Sequence, residues 1–117
     1  MKEDLVEARR DRAKLEKFAV RQDAGGRSEY RVASHTGYTY GVVLRSLTEP
    51  VNSCDCPDFR SSLLGTCKHI EAVLLRLRDR RNGRLRWSPP PKDRAEIYVE
   101  YGPEIRIRAT GPAAALL

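Results

Sequence analysis

Apolar residues recur along the chain with two different periods, and each period predicts a different kind of element. Residues 2–19 contain no glycine or proline and many strong helix formers, so we expect a helix there. Its charges are of mixed sign, which favours a solvated helix that rests one edge on the domain or links it to something else; a basic arm or a partner-docking helix is the alternative. The apolar stripe of this helix is thin and consists of Leu5, Ala8, Leu15 and Ala19.

Strand composition follows a glycine-containing loop at residues 22–28. Aromatic and β-branched residues alternate with other residues in 30–33 and 38–44, which predicts two strands. Residues 34–37 have the composition of a hairpin turn between them. We expect the tyrosines of these strands to be core residues or cross-strand pairs, with stacking on nucleic-acid bases as the alternative.

A helical period returns after residue 66, and a second strand pattern follows it. We expect the helix to lie with one face on the sheet and to end near Asn82–Gly83. Beyond a proline-rich stretch at 87–92, residues 97–101 and 104–108 alternate and predict a second β-hairpin. The apolar residues that set the helical period are Ile70, Val73, Leu74 and Leu77.

The composition limits the classes of protein to which the chain can belong. With 117 residues, 40% hydrophobic and 32% charged, it is expected to form one small domain with extensions. The N-terminus is charged and no apolar run approaches the length of a membrane span. We therefore expect no membrane partner and an intracellular, cytoplasmic location (nucleoid-associated in a bacterium), where thiols stay reduced.

The three cysteines and one of the two histidines lie in two tight pairs. Cys54 and Cys56, then Cys67 and His69, form the pattern C-x-C-x₁₀-C-x-H. Three thiols and one imidazole are a standard donor set for structural zinc, whereas three cysteines cannot all pair in disulfides. The pattern predicts one structural Zn²⁺ held by these four residues, and three inert cysteines beside a histidine by chance are the alternative. His35 has no companion at ligand spacing and is expected to be a solvated loop residue.

The residues around these four resemble the SWIM zinc finger family. The chain reads C-D-C-P-D-F over 54–59 and C-K-H-I-E-A-V-L-L over 67–75, close to the motifs of that family. The resemblance implies that Cys54, Cys56, Cys67 and His69 are the zinc ligands and that β-strands precede them. Family members are implicated in DNA binding and protein contacts. They occur in bacterial Swi/Snf-type helicase-like ATPases, transposases and recombination accessory proteins, and the resemblance makes the N-terminal part of a helicase-like protein one possible origin.

A zinc enzyme is a weaker interpretation of the same residues. Catalytic zinc keeps one position open and typically uses three protein ligands, whereas this pattern offers four. Asp55, Asp58 and Glu71 lie near the ligands, but the two aspartates are better explained as caps of the loop. No glycine-rich phosphate loop is present, so this chain is not itself expected to be the ATPase. We expect no catalytic residues and no enzymatic activity.

Positive charge is concentrated after the last predicted ligand. From residue 68 to residue 86, seven basic residues stand against two acids, a net charge of +5 in a chain of net charge +6. Clustered arginine is typical of a surface that contacts nucleic-acid phosphates, and a solubilising face or cations favoured at a helix C-terminus are the alternatives. The predicted nucleic-acid contacts are Lys68, Arg76, Arg78, Arg80, Arg81, Arg84 and Arg86.

Together these features predict an α+β chain built around a small zinc-stabilised ββα-type finger, with an N-terminal helix and a C-terminal β-hairpin. The expected segments are an N-terminal helix at 1–21, a SWIM-like zinc-binding domain at 22–86, and a proline-rich linker with a β-hairpin at 87–117. The expected function is to bind nucleic acid, preferably DNA, through backbone phosphates. The alternative is a protein-interaction or regulatory module that is attached to, or recruits, a helicase-like ATPase or a recombination factor. No small-molecule substrate is expected.

Overall fold

The computed structural model describes residues 2–24, 26–79, 81 and 84–116. The predicted α+β fold, with an N-terminal helix and a C-terminal β-hairpin, is confirmed. None of the helices in the described part of the chain is long and apolar enough to cross a membrane. The elements are, in order, α1 (Lys2–Leu15), β1 (Ala19–Gln22), β2 (Glu29–Ala33), β3 (Thr39–Val43), β4 (Ser53–Cys54), α2 (Pro57–Ser62), α3 (Lys68–Arg78), β5 (Glu96–Tyr101), β6 (Ile105–Thr110) and a short 3₁₀ helix (Gly111–Leu116).

Four antiparallel strands form a sheet in the order β1-β2-β3-β4. The register pairs Val20 with Val32 and Tyr30 with Val42. Because alternate residues of a strand share a face, these side chains lie on one face of the sheet. β3 also pairs with β4 by setting Val42 opposite Cys54, so the first predicted ligand lies on the same face.

Helix α3 contacts the sheet with the apolar side that its periodicity predicts. Ile70 and Val73 are buried, with exposed fractions of 1% and 0%. The helix ends at Arg78, where Asp79 is extended and its N–H closes the last turn. This end comes earlier than the predicted one near Asn82–Gly83, two residues that lie outside the described part of the chain.

The first helix is shorter than predicted, and the residues after it form a strand. Helix α1 ends at Leu15 rather than near Ala19. Lys17 has a φ of 50°, in the left-handed region, which interrupts the helical path. Phe18 is then buried in the core, and β1 follows as an edge strand that the hydrophobic pattern did not predict.

Strands β5 and β6 form a two-stranded antiparallel sheet. Tyr101 of β5 contacts the rest of the molecule through its backbone and its ring. The Tyr101 N–H donates to the Pro50 carbonyl at 2.8 Å. Its ring meets the ring of Phe59 in α2 edge to face, with the centroids 5.7 Å apart. The same core cluster includes Ala13 of α1, so residues from both ends of the chain pack together around α3 and the four-stranded sheet.

Candidate metal centre

Three sulfur atoms and one ring nitrogen come together between the four-stranded sheet and α3. The donor atoms of Cys54, Cys56, Cys67 and His69 lie within 4.8 Å of one another, and all four residues are buried. The Sγ atoms of Cys54 and Cys67 are each 3.8 Å from Nδ1 of His69. In a tetrahedral zinc site, bonds of about 2.3 Å to sulfur and 2.0 Å to nitrogen place neighbouring donors roughly 3.5–3.8 Å apart. The four side chains therefore fit one structural Zn²⁺, with Nδ1 as the donor atom of the imidazole.

The first pair of ligands lies where β4 gives way to a short helix. Cys54 ends β4, and Cys56 is the N-cap of α2, where its Sγ accepts the Phe59 N–H at 3.4 Å. Pro57 occupies the start of this helix, where its missing N–H leaves no bond unmade. The first part of the segment between the two ligand pairs is therefore helical, because a capping sulfur and a proline favour a helix start.

The second pair of ligands lies at the entry of α3. Cys67 is the extended N-cap of the helix, and His69 lies in its first turn. One residue between the ligands is enough to direct both side chains to the same centre, because the chain changes from extended to helical between them. The partial positive charge at the helix N-terminus also favours a thiolate at Cys67.

Close contact between the three thiols shifts their pKa values in opposite directions. Hydrogen bonds from Cys54 and Cys67, together with the Phe59 N–H, hold the pKa of Cys56 far below its ordinary value of 9.0. The hydrogen bond with Cys56 and burial raise the pKa of Cys54 to about 12. The two neighbouring sulfurs and burial raise the pKa of Cys67 as well. Three thiolates this close need a cation between them, which is the chemistry that a bound zinc ion supplies.

Residues 43–78 match the SWIM zinc finger family. This stretch, here called the SWIM segment, runs from the end of β3 to the end of α3 and contains all four donors. The resemblance predicted from the sequence is therefore confirmed for the SWIM segment, and the match supports a zinc-binding module with one structural zinc ion. Comparisons with curated proteins and with solved structures give no match.

Aromatic rings of residues that precede the SWIM segment pack around His69. The His69 ring packs against Tyr40 at a centroid distance of 4.6 Å and against the edge of Phe18 at 5.1 Å. Tyr38 stacks on Tyr40 from the solvent side and is 67% exposed. Phe18 was not predicted as part of the site. A single large aromatic residue at the end of a highly charged helix was the one signal that could have indicated a buried contact there.

The segment between the two ligand pairs contains three large apolar residues, Phe59, Leu63 and Leu64. Phe59 and Leu64 are buried. Leu63 is instead 56% exposed, because it adopts the left-handed conformation that ends α2 and its side chain is directed outward.

Between residues that the structure describes, three ion pairs connect α1 and the turn after it to the SWIM segment. Each joins a residue of α1, or of the turn that follows it, to a residue more than forty positions away in α2 or α3. They reach the start of α2, the start of α3 and the buried face of α3. The pairs are Arg9 with Asp58 at 2.8 Å, Arg10 with Glu71 at 3.0 Å, and Glu16 with Lys68 at 2.9 Å.

Lys68, one of the predicted nucleic-acid contacts, is engaged within the protein. Its ammonium group bonds both carboxylate oxygens of Glu16 and lies 5.6 Å from the centre of the Phe18 ring. Burial raises the pKa of Glu16, but the hydrogen bonds from Lys68 and Arg12 outweigh it, so the pKa lies below the ordinary value. The negative partner keeps Lys68 close to α1.

The other predicted contacts lie along the end of α3 and the chain that follows it, residues 76–86, here called the basic segment. Five of its arginines are exposed, and Arg80 lies outside the described residues. Asp79, the acid in this stretch, is 3.5 Å from Arg81. The exposed arginines are Arg76, Arg78, Arg81, Arg84 and Arg86.

The far end of the basic segment is anchored to the four-stranded sheet. Leu85 is buried in the core. The Arg86 carbonyl accepts the Tyr30 hydroxyl at 2.8 Å, and its N–H donates to Gln22 at 3.0 Å. The Trp87 indole N–H donates to the Leu44 carbonyl at 2.7 Å. The described arginines thus lie between two anchored points, the end of α3 and the contacts of residues 85–87 with the core and the sheet.

Proposed function

We propose that the protein is a zinc-structured module that binds nucleic acid, preferably duplex DNA, through phosphate contacts of the basic segment. The observation that carries the proposal is the exposure of five arginines on an anchored backbone with a single acid among them. Guanidinium groups that lie close together along the chain can contact successive phosphates of a duplex. The side chains of the basic segment contact the sugar–phosphate backbone rather than base edges, so we expect little sequence preference.

The distribution of ion pairs supports this choice of surface. Eight arginines outside the basic segment lie within ion-pair distance of acidic side chains, which reduces the positive potential around them. The basic segment holds six arginines and one aspartate in the sequence, so its field is far less compensated. The arginines with acidic partners elsewhere are Arg9, Arg10, Arg12, Arg31, Arg45, Arg94, Arg106 and Arg108.

In this proposal the metal centre has a structural role and the protein is not an enzyme. Cys54, Cys56, Cys67 and His69 would complete a tetrahedral shell around zinc, and four protein donors leave no position for a reactive water. These residues fix the start of α3 against β4. The direction of α3, and with it the position of the basic segment, follows from that junction.

The salt dependence of binding tests the proposal directly. The affinity of the zinc-loaded protein for a duplex of about two helical turns is measured by fluorescence anisotropy over a range of salt concentrations. Each phosphate contact contributes about 0.9 to the slope of log Kd against log salt. The double variant Arg78→Ala/Arg81→Ala should reduce that slope by up to about 1.8, because it removes two phosphate contacts.

A matched control distinguishes an effect of the basic segment from an effect of the protein's net charge. The double variant Arg12→Ala/Arg106→Ala removes the same charge from two arginines that are paired with glutamates. It should keep the slope of the unmodified protein. The proposal fails if both double variants lower the slope equally, or if the unmodified protein does not bind the duplex at low salt.

A further inference from the structure

The strand β6 is exposed along most of its length and on both of its faces. It forms one edge of the two-stranded sheet, and residues 105–108 are exposed without interruption. β6 pairs with β5 residue for residue, without a bulge, and contains no proline. Bulges and prolines are among the common features that keep edge strands from pairing with other chains. Among the strands that the structure describes, only β5 pairs with β6, so the edge of β6 opposite β5 can accept a further strand.

The two faces of β6 have different chemistry. Ile105 and Ile107 are 59% and 62% exposed and lie on the same face as Ile97 of β5, which is 55% exposed. Arg106 and Arg108 lie on the opposite face, because alternate residues of a strand point to opposite sides. A strand that adds to this edge would meet an apolar strip on one side. On the other side it would meet two guanidinium groups that each contact a glutamate of the hairpin and are still 63% and 52% exposed.

Strand β5 shows which kind of strand fits β6. It alternates acidic or aromatic residues with apolar ones, and its register sets Val99 opposite Ile107 and Glu100 opposite Arg106. Glu100 also accepts a hydrogen bond from Arg108 at 3.0 Å. Cross-strand pairs of opposite charge and of apolar side chains stabilise a sheet, whereas like charges opposite each other destabilise it.

From this complementarity we propose that the free edge of β6 binds an extended segment of a partner protein in which acidic and apolar residues alternate. The segment adds as a third strand, its acidic side chains on the face of Arg106 and Arg108 and its apolar side chains beside Ile105 and Ile107. A second copy of β6 suits this edge poorly, because antiparallel pairing of two β6 strands sets arginine opposite arginine. The proposal is independent of nucleic-acid binding by the basic segment.

The experiment uses the full chain with zinc and a peptide that carries the sequence of β5. The probe is the Glu96–Tyr101 sequence with Ser-Gly ends and a fluorescent label, titrated by anisotropy and mapped by amide chemical shifts. Saturable binding with shifts in residues 105–110 is expected. A peptide with Glu96→Lys and Glu100→Lys, and one with N-methyl groups on alternate amides, should each bind about tenfold more weakly, because one loses the charge pairs and the other the ladder hydrogen bonds.

Two protein variants complete the test. Ile107→Lys places a charge in the apolar strip and should weaken binding about tenfold, while Leu15→Lys changes an exposed leucine of α1, outside the hairpin, and should leave binding unchanged. Arg78→Ala/Arg81→Ala should bind the peptide normally, so this result is separate from that of the duplex experiment. The proposal is overturned if the peptide does not bind, if Ile107→Lys binds as well as Leu15→Lys, or if the shifts lie in the basic segment. Self-association of the protein through residues 105–110, or occupation of this edge by an oligonucleotide in place of the peptide, overturns it as well.

Discussion

At the scale of single residues, a glycine lets the C-terminal hairpin approach the segment between the two ligand pairs. Gly65 has a φ of +77°, a backbone conformation that residues with a Cβ rarely adopt. A Cβ at this position would lie 2.6 Å from Cβ of Tyr101, well inside van der Waals contact. The close approach places the Tyr101 ring against Phe59, directly after the Cys56 cap. A side chain at position 65 should therefore disturb both the C-terminal hairpin and the segment between the two ligand pairs.

Gly65→Ala should lower the free energy of unfolding by about 2–4 kcal/mol, since backbone strain adds to the clash with Tyr101. Gly37→Ala is the matched control, because Gly37 also has a positive φ, +94°, but a Cβ there would meet nothing within 4 Å. The control should lose only about 1–2 kcal/mol from strain. Denaturant unfolding of the zinc-loaded variants measures both values, and equal losses would show that the contact with Tyr101 is unimportant.

At the scale of elements, α1 belongs to the metal-binding unit rather than standing apart from it. Its ion pairs reach both α2 and α3, and Phe18, just after it, contacts the ring of His69. Of the two interpretations of α1 considered from the sequence, the structure agrees with a helix that rests one edge on the domain. Its arginines serve mainly to hold the helix in place.

The pair between Glu16 and Lys68 makes part of this attachment sensitive to pH. The folded-state pKa of Glu16 is depressed, so its contribution is present above the ordinary value of 4.5 and is lost as the pH falls through the lower folded-state value. Glu16→Gln should reduce the free energy of unfolding at pH 7 by about 0.5–1 kcal/mol. The difference from the unmodified protein should begin to shrink as the pH falls below 4.5, because a protonated Glu16, like a glutamine, carries no charge to pair with Lys68.

Glu7→Gln is the control for this prediction, because Glu7 is 55% exposed and its Oε2 lies 3.4 Å from Nη1 of Arg10. An exposed pair of this kind contributes about 0.3 kcal/mol or less. Thermal unfolding of both variants and of the unmodified protein is compared between pH 7 and pH 4. Proton competition for the zinc ligands affects all three proteins alike, so it cancels in the comparison. A Glu16→Gln deficit that persists unchanged at low pH contradicts the assignment.

Comparison with the sequence shows which elements local patterns determine. The apolar period from Ile70 to Leu77 and the C-x-C and C-x-H spacings are local, so α3, the hairpins and the donor set could be predicted. The end of α1 could not, because the left-handed Lys17 and the burial of Phe18 depend on contacts with α3, about fifty residues later. Strand β1 was missed for the same reason: its four residues acquire a strand conformation by pairing with β2.

At the scale of the whole molecule, the metal centre lies at the junction of nearly every element. Its donors come from β4, the cap of α2 and the first turn of α3. α1 and the four-stranded sheet contact α3, and β5 contacts α2 through Tyr101. A structural zinc site of this kind contributes an apparent binding free energy of about 10–16 kcal/mol, compared with a net stability of about 5–15 kcal/mol for a domain. On these magnitudes the fold should require the metal.

His69→Ala removes the imidazole donor and should abolish stable folding, whereas His35→Ala changes an exposed histidine and should not. We expect one zinc per chain in the unmodified protein and in His35→Ala, measured by elemental analysis, and less than one in His69→Ala. Chelation of the unmodified protein should release the metal together with the dispersed amide spectrum, because the cap of α2 and the entry of α3 are then no longer held against β4. The basic segment would lose its anchored start at the same time, so binding of duplex DNA should fall with the loss of zinc. A chelated protein that keeps its spectrum and melting temperature would show instead that the apolar core between the sheet and α3 is sufficient to hold these elements together.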